Sequence, residues 1–214
     1  MKTLLNIAYM DKLVGQLVAE LDRLNLREKT LIVFTGDNGS VGHGTINGGH
    51  VDGGKHKLTE GGSRVPLICS WPGTTPAGAV SRDLVDFSDF FATFAELGGA
   101  RPPTGVTLDS HSFAPQLHGE KGQPREWVYV QLGSERYVRD ARWKLTGDGK
   151  LFDMSEAPFA EKPATDAAER ERLQAALDGL TEKGAASGTK KAPDKSERKQ
   201  AKKENKAKKK IAEP

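Results

Sequence analysis

The spacing of apolar residues divides the first hundred positions into alternating helix and strand. Leu13, Leu17, Leu21 and Leu24 recur at three- and four-residue steps, joined by Val14 and Val18, and predict an amphipathic helix over 7–26. Asn25 to Lys29 turns the chain. The run Leu31-Ile32-Val33-Phe34 then has the short, continuous apolar character of a buried strand, followed at once by Thr35-Gly36-Asp37-Asn38-Gly39. Residues 39–63 are so rich in glycine that a long irregular loop is expected, neither helix nor central strand. Val65 to Ser70 forms a second strand pattern, ended by Pro72 and Gly73. Val85 to Leu97 predicts a helix with Phe87, Phe90, Phe91, Phe94 and Leu97 on one stripe, capped near Ser81 or Asp83 and stopped by Gly98-Gly99.

Past Pro102-Pro103 the period changes. Trp127 to Leu132, Arg136 to Arg139, Trp143 to Thr146 and Leu151 to Met154 are short strand patterns separated by turn residues, spaced as in a small antiparallel sheet. Glu169 to Leu180 reads as a closing helix. From Gly184 onward apolar residues are scarce, and a disordered tail is expected.

Charge sharpens this division. Residues 190–210 hold ten Lys and one Arg against Asp194, Glu197 and Glu204, so the formal +3 of the 214-residue chain hides a mildly acidic body and a basic tail. The tail has no interleaved aromatics and no recognition motif, which argues against sequence-specific nucleic-acid binding and leaves weak polyanion adhesion or solubility. The single cysteine, Cys69, excludes an intrachain disulfide and a Cys-rich metal site; its apolar neighbours suggest a small core residue. No apolar run is long enough for a membrane span. The segment after Met1 turns polar too soon for a signal peptide, so compartment stays open.

Candidate chemistry concentrates after the first strand. Polar groups just past the carboxyl end of a strand in an open α/β sheet lie where ligands bind, and Asp37 and Asn38 are hard oxygen ligands suited to Ca²⁺ or Mg²⁺. Asp-Asn-Gly is equally a good turn sequence. Eighteen residues on, Lys55-His56-Lys57 brings cations into the glycine-rich segment, ahead of Glu60-Gly61-Gly62-Ser63-Arg64-Val65-Pro66. Lys55 is either a charge aimed at an anion or a solvated surface lysine. His43, His50 and Asp52 offer a second metal site or a proton donor, or simply line a cleft. Glu60 suits a loop anchor, pairing with Arg64 or accepting backbone N–H groups and so holding Lys55 in place. His111 and His118 look structural.

Together these segments closely resemble the sulfatase family of the alkaline-phosphatase-like superfamily. The resemblance rests on Asp37-Asn38-Gly39 after a strand, Lys55 five residues before Glu60-Gly61-Gly62, then Arg64-Val65-Pro66 and Trp71-Pro72-Gly73. The stretch from Asp109 to Gly119, Arg139 to Leu145 and Leu151 to Met154 extend it. It implies an α/β fold: part of a mixed central sheet with flanking helices over 1–100, a small antiparallel C-terminal subdomain over 101–183 and a disordered Lys-rich tail over 184–214.

The resemblance further implies a sulfuric ester hydrolase acting on a sulfated small molecule or glycan. Asp37 and Asn38 would be half of a Ca²⁺ (or Mg²⁺) shell, and Lys55 would contact the substrate sulfate. The family's formylglycine nucleophile arises within a Cys/Ser-x-Pro-x-Arg motif, and this chain contains no such motif. The sequence therefore reads as the C-terminal half of such an enzyme, inactive in isolation. Two alternatives accompany it: a phosphoester hydrolase of the same superfamily, or a non-catalytic binding module that partners a separate N-terminal half.

Overall fold

The computed structural model describes residues 2–101 and 103–186, with side chains over 5–101 and 103–180. The chain divides into two compact units, Met1–Leu177 and Asp178–Pro214. From residue 187 the Lys-rich tail lies outside the described residues.

The architecture is α/β. Helix α1 (Lys2–Arg23) starts before the predicted position and ends three residues earlier. The stop is Asn25, whose φ of 55° places it in the left-handed region. Its N–H donates to Asp22 O at 3.0 Å and that of Leu26 to Leu21 O at 2.9 Å, the paired bonds of a Schellman C-cap in which asparagine replaces the usual glycine. A single 3₁₀ turn, Arg27–Lys29, follows. It is tied to the segment Ser70-Trp71 by the Arg27 guanidinium on Ser70 and by the Trp71 indole N–H on Glu28 O, 2.8 Å away.

Strand β1 (Ile32–Thr35) pairs antiparallel with β4 (Leu67–Ser70), with Ile32 opposite Ser70 and Thr35 opposite Leu67. Along β4, Leu67 and Cys69 face the half-buried side while Ile68 and Ser70 are exposed. Cys69 is thus a half-buried strand residue and not the core residue expected; burial pushes its thiol pKa up.

The glycine-rich stretch is more ordered than its composition predicts. Residues 44–51 form a hairpin of β2 (Gly44–Ile46) and β3 (Gly49–Val51), and Glu60–Ser63 makes one helical turn, α2. The hairpin signal is Asn47-Gly48. Both residues have positive φ, 50° and 81°, as a type I′ turn requires. Local turn chemistry overrides the loop reading.

Helix α3 (Asp89–Leu97) begins four residues later than predicted, and neither proposed cap serves it. Ser81 Oγ accepts from the Asp83 N–H, and Asp83 accepts from the Gln116 amide. Asp89 instead organises the region. Its buried carboxylate accepts the backbone N–H groups of Asp86 (2.7 Å) and His111 (2.8 Å), and pairs with the buried Arg125 guanidinium in a two-pronged contact. Arg125 also donates to Asp109 O at 2.9 Å. Phe90 packs edge-on against Phe113, which precedes the short helix α4 (Ala114–Leu117).

The C-terminal sheet has five antiparallel strands in sequence order: β5 (Val128–Leu132), β6 (Glu135–Arg139), β7 (Trp143–Thr146), β8 (Leu151–Asp153) and β9 (Lys162–Ala164). Four were legible in the sequence; β9, carrying Lys162-Pro163, was not. Pro163 is admitted because β9 is an edge strand. Leu173 and Leu177 of α5 (Ala167–Ala186) bury against Val138, Leu145 and Leu151 to make the principal core. Among the described residues no helix is long and apolar enough to cross a membrane.

Replacing Arg125 by Met leaves the Asp89 charge buried without its partner. Urea unfolding is expected to show a loss of about 3–5 kcal/mol, the range for breaking a buried pair from one side.

Candidate functional site

Strand β1 delivers Asp37 and Asn38 to the end of the sheet where β4 begins, because Thr35 lies opposite Leu67. A Cβ on Gly36 would stand 3.5 Å from the Val65 side chain, so the approach through Arg64-Val65-Pro66 runs alongside. Both side chains are exposed, and the Asn38 amide donates to Asp37 Oδ1 at 2.9 Å.

Immediately beyond, three pieces of backbone lace together. The Gly39 N–H donates to Gly62 O, the Gly54 N–H to Gly61 O and the Lys55 N–H to Ser40 O, each at 3.0 Å. The approach is too close for side chains. A Cβ on Gly39 would sit 1.7 Å from Gly61 O, and one on Gly54 would sit 2.4 Å from the Gly62 nitrogen. Although sixteen residues lie between the Asp37–Asn38 segment and Lys55, the hydrogen bond between Lys55 and Ser40 brings the two stretches of backbone together.

Lys55 occupies the corner of a turn closed by the Lys57 N–H on Gly54 O at 2.7 Å. The third residue of that turn, His56, has φ 70°, the left-handed value that a type II turn demands and glycine supplies without strain. Lys55, His56 and Lys57 are all exposed, so the turn presents cationic side chains to solvent.

The other side of the loop is buried. Glu60 is 4% exposed, with the Arg64 guanidinium 3.4 Å and Arg139 Nε 3.3 Å from its carboxylate. The Arg139 contact has ion-pair distance without hydrogen-bond direction. The Glu60 N–H donates to Glu161 Oε1 at 2.7 Å. Lys144, buried on β7, donates to Leu58 O at 2.6 Å and Glu161 Oε2 at 2.7 Å, with the Tyr137 ring 4.6 Å from its ammonium. Tyr137 O–H donates to Ser63 Oγ at 2.7 Å, which donates in turn to Thr59 O at 3.0 Å. Burial, above all, pushes the Tyr137 pKa up to about 12, so the hydroxyl keeps its proton. Glu60 thus pairs with Arg64 as the sequence suggested. Tyr137, Lys144 and Glu161 were missed. The available signal was a lysine inside an apolar strand run, Trp143-Lys144-Leu145.

The histidines divide. His43 and His50 face each other across the hairpin with ring centroids 5.4 Å apart, and His50 Nε2 lies 2.9 Å from Asp52 Oδ1. His118 lies against Trp71, and His111 engages Asp89 through its backbone only. Among the described residues no group of three or more His, Cys, Asp or Glu side chains is placed to hold a metal ion.

Residues 3–100 match the sulfatase family model. The chain is 33% identical over 158 residues to human arylsulfatase D, covering 70% of this chain and 26% of that protein. It is 37% identical over 126 residues to N-acetylgalactosamine-6-sulfatase of Canis lupus familiaris, covering 57% and 24%. It is similar to the PsFucS1 sulfatase from Pseudoalteromonas sp. (29% identity, TM-score 0.54, 73% of this chain and 33% of that one). The fold also matches BT4656, solved in complex with its substrate D-glucosamine-2-N,6-O-disulfate (23% identity, TM-score 0.62, 83% and 38%). These matches, with the family pattern over residues 3–100, support membership of the sulfatase/alkaline-phosphatase-like superfamily. The chain spans about a quarter of the length of the curated relatives it matches.

Two glycine-level substitutions separate turn strain from close approach. His56→Gly relieves the left-handed residue and is expected to raise stability by about 1 kcal/mol. Gly54→Ala forces a Cβ into backbone and is expected to lower it by about 1–3 kcal/mol. Chemical denaturation of both variants beside the parent checks the opposite signs.

Proposed function

We propose that this chain is the C-terminal portion of a sulfuric ester hydrolase: residues 1–100 complete the catalytic α/β domain, 101–183 form its small subdomain, and 184–214 are the basic tail. The observation that carries the reading is the shared hydrogen bond between Ser40 and Lys55, which keeps the Asp37–Asn38 strand end and the Lys55 turn in one constellation. A hard-oxygen pair and a solvent-facing ammonium, carried on stretches of backbone joined by the Ser40–Lys55 hydrogen bond, suit an anionic ester whose negative charge grows as the S–O bond breaks.

In that role Asp37 and Asn38 contribute two oxygens to a divalent cation, Ca²⁺ or Mg²⁺. Adjacent exposed carboxylate and amide oxygens fit such an ion, but Ca²⁺ takes about six to eight oxygens, so the remainder must come from elsewhere. The ion, when bound, would polarise the sulfate oxygens. Lys55 would bind and orient the sulfate and neutralise the departing charge. The formylglycine nucleophile belongs to the N-terminal half of the domain, as do the missing ligands.

The uncovered apolar surface supports this division. Leu5, Ile7, Tyr9, Leu13 and Leu17 of α1 are each between 46% and 64% exposed, and among the described residues β1 has a partner on one edge only. A sheet buried on both faces needs cover that the described residues do not provide. The complementary half of the domain, covalently continuous or separate, would pack there. Similarity to N-acetylgalactosamine-6-sulfatase of Canis lupus familiaris, at 37% identity, favours a sulfated sugar over a phosphoester.

Two measurements test the reading. The chain alone is expected to give no turnover of 4-methylumbelliferyl sulfate above an empty-vector preparation, and to bind Ca²⁺ no tighter than about 1 mM by calorimetry. When a complementary half restores activity, Lys55→Ala should lower kcat about 10²–10³-fold; an unaltered kcat would remove Lys55 from the site. Separately, the isolated chain should bind an apolar dye and self-associate in sedimentation velocity, with Leu13→Glu/Leu17→Glu reducing both. A dye-silent monomer would contradict the incomplete-domain reading.

A further inference from the structure

We propose that the C-terminal sheet is the positioning device for Lys55, acting through Tyr137, Lys144 and Glu161. This rests on the reading of Lys55 given above and extends it to residues with no assigned role.

The loop that carries Lys55 has an entropy problem. Gly53, Gly54, Gly61 and Gly62 allow the close backbone crossing but lose the most conformational freedom when fixed. The crossing itself supplies only backbone hydrogen bonds. Beyond the crossing and the local bonds to Thr59 and Arg64, the side chains that reach residues 58–63 come from the small sheet and from Glu161, just before β9. Leu58 O receives the Lys144 ammonium, the Glu60 N–H meets Glu161 Oε1, and Ser63 Oγ receives the Tyr137 hydroxyl. One carboxylate, Glu161, accepts from both Lys144 and the Glu60 N–H, and the Lys144 ammonium lies 4.6 Å from the Tyr137 ring, so the three contacts form one connected unit.

The chemistry of this unit is expensive if stability alone were the object. Burying an ammonium and a carboxylate together is often no better than burying apolar side chains of the same volume. What the pair supplies is direction. Lys144 is 3% exposed and has three fixed neighbours: a carbonyl, a carboxylate and an aromatic face. A carbonyl 86 residues away in sequence is thereby pinned to one place. Leu58 lies three residues past Lys55, and the Gly62 bonded to Gly39 directly precedes Ser63. Tightening at 58–63 is therefore transmitted to both ends of the crossing, and so to the turn that presents Lys55.

Hydrogen–deuterium exchange on the full chain tests the coupling. In Tyr137→Phe and Glu161→Gln, the Gly39, Gly54, Lys55 and Gly62 amides should exchange about tenfold faster, while the Val138 and Leu145 amides of the sheet keep parental rates. The ¹³Cε resonance of Lys55 should shift in the same variants. Lys55→Ala is the control and should leave all of these amides unaffected. Equal protection of the crossing amides in parent and variants would overturn the proposal, and so would a parallel loss in the crossing and the sheet, which marks general destabilisation. Should either variant fail to fold, the other carries the comparison. These readouts do not depend on catalysis: intact coupling with an unaltered kcat in Lys55→Ala would refute the role of Lys55 and keep the clamp.

Discussion

Backbone meets backbone without side chains between at Gly39, Gly54, Gly61 and Gly62, and the arrangement of the candidate site depends on that approach. A strand that ends in Asp37-Asn38 and a turn that displays Lys55 could stand far apart on a chain with this many intervening residues. They are held together because three hydrogen bonds of 3.0 Å bind residues 39–40, 54–55 and 61–62. The Gly39–Gly62 and Gly54–Gly61 bonds require approaches that a methyl group on any of these glycines would prevent, and the Lys55–Ser40 bond lies where a Cβ on Gly53 would sit 2.6 Å from Ser40 O. The Glu-Gly-Gly pattern is therefore a steric specification. Glu60 adds the electrostatic part by turning inward to Arg64 and Arg139 while the glycines cross.

That local knot is supported from two directions. Asp89 and Arg125 fasten α3 to the chain that leads into the small sheet, and Phe90 against Phe113 adds apolar contact at the same junction. The sheet then reaches back through Tyr137, Lys144 and Glu161. The core formed by Val138, Leu145, Leu151, Leu173 and Leu177 gives these polar residues a rigid base. Buried charges with several directional partners fix geometry more than they add stability, and here they converge on the loop next to Lys55.

By contrast, the amino-terminal side of the described structure is short of cover. The apolar residues of α1, Ile68 of β4 and Phe87, Phe91 and Phe94 of the α3 region are substantially exposed. The aligned region makes up only about a quarter of the curated relatives, which fits this. Leu13, Leu17 and Leu24, part of the amphipathic stripe that made α1 legible as a helix, are among the residues left exposed, while Val14, Val18 and Leu21 are half-buried.

The sequence by itself determined the elements whose signals are local. The leucine spacing gave α1, the apolar runs gave β1 and β4, and alternating turns gave four of the five strands of the small sheet. The strand-to-turn position of Asp37-Asn38 was also readable, because an apolar run followed by Asp-Asn-Gly is a one-dimensional pattern. The β2–β3 hairpin was readable too, in Asn47-Gly48, but glycine content masked it. Only the tertiary structure decided what depends on distance between remote residues. It set the start of α3 at Asp89, because that carboxylate answers to Arg125 and His111. It brought Ser40 to Lys55, and placed Lys144 and Glu161 behind the loop at 86 and 101 residues' separation. Period and propensity report on neighbours along the chain; a buried charge pair is fixed by which distant groups remain to satisfy it.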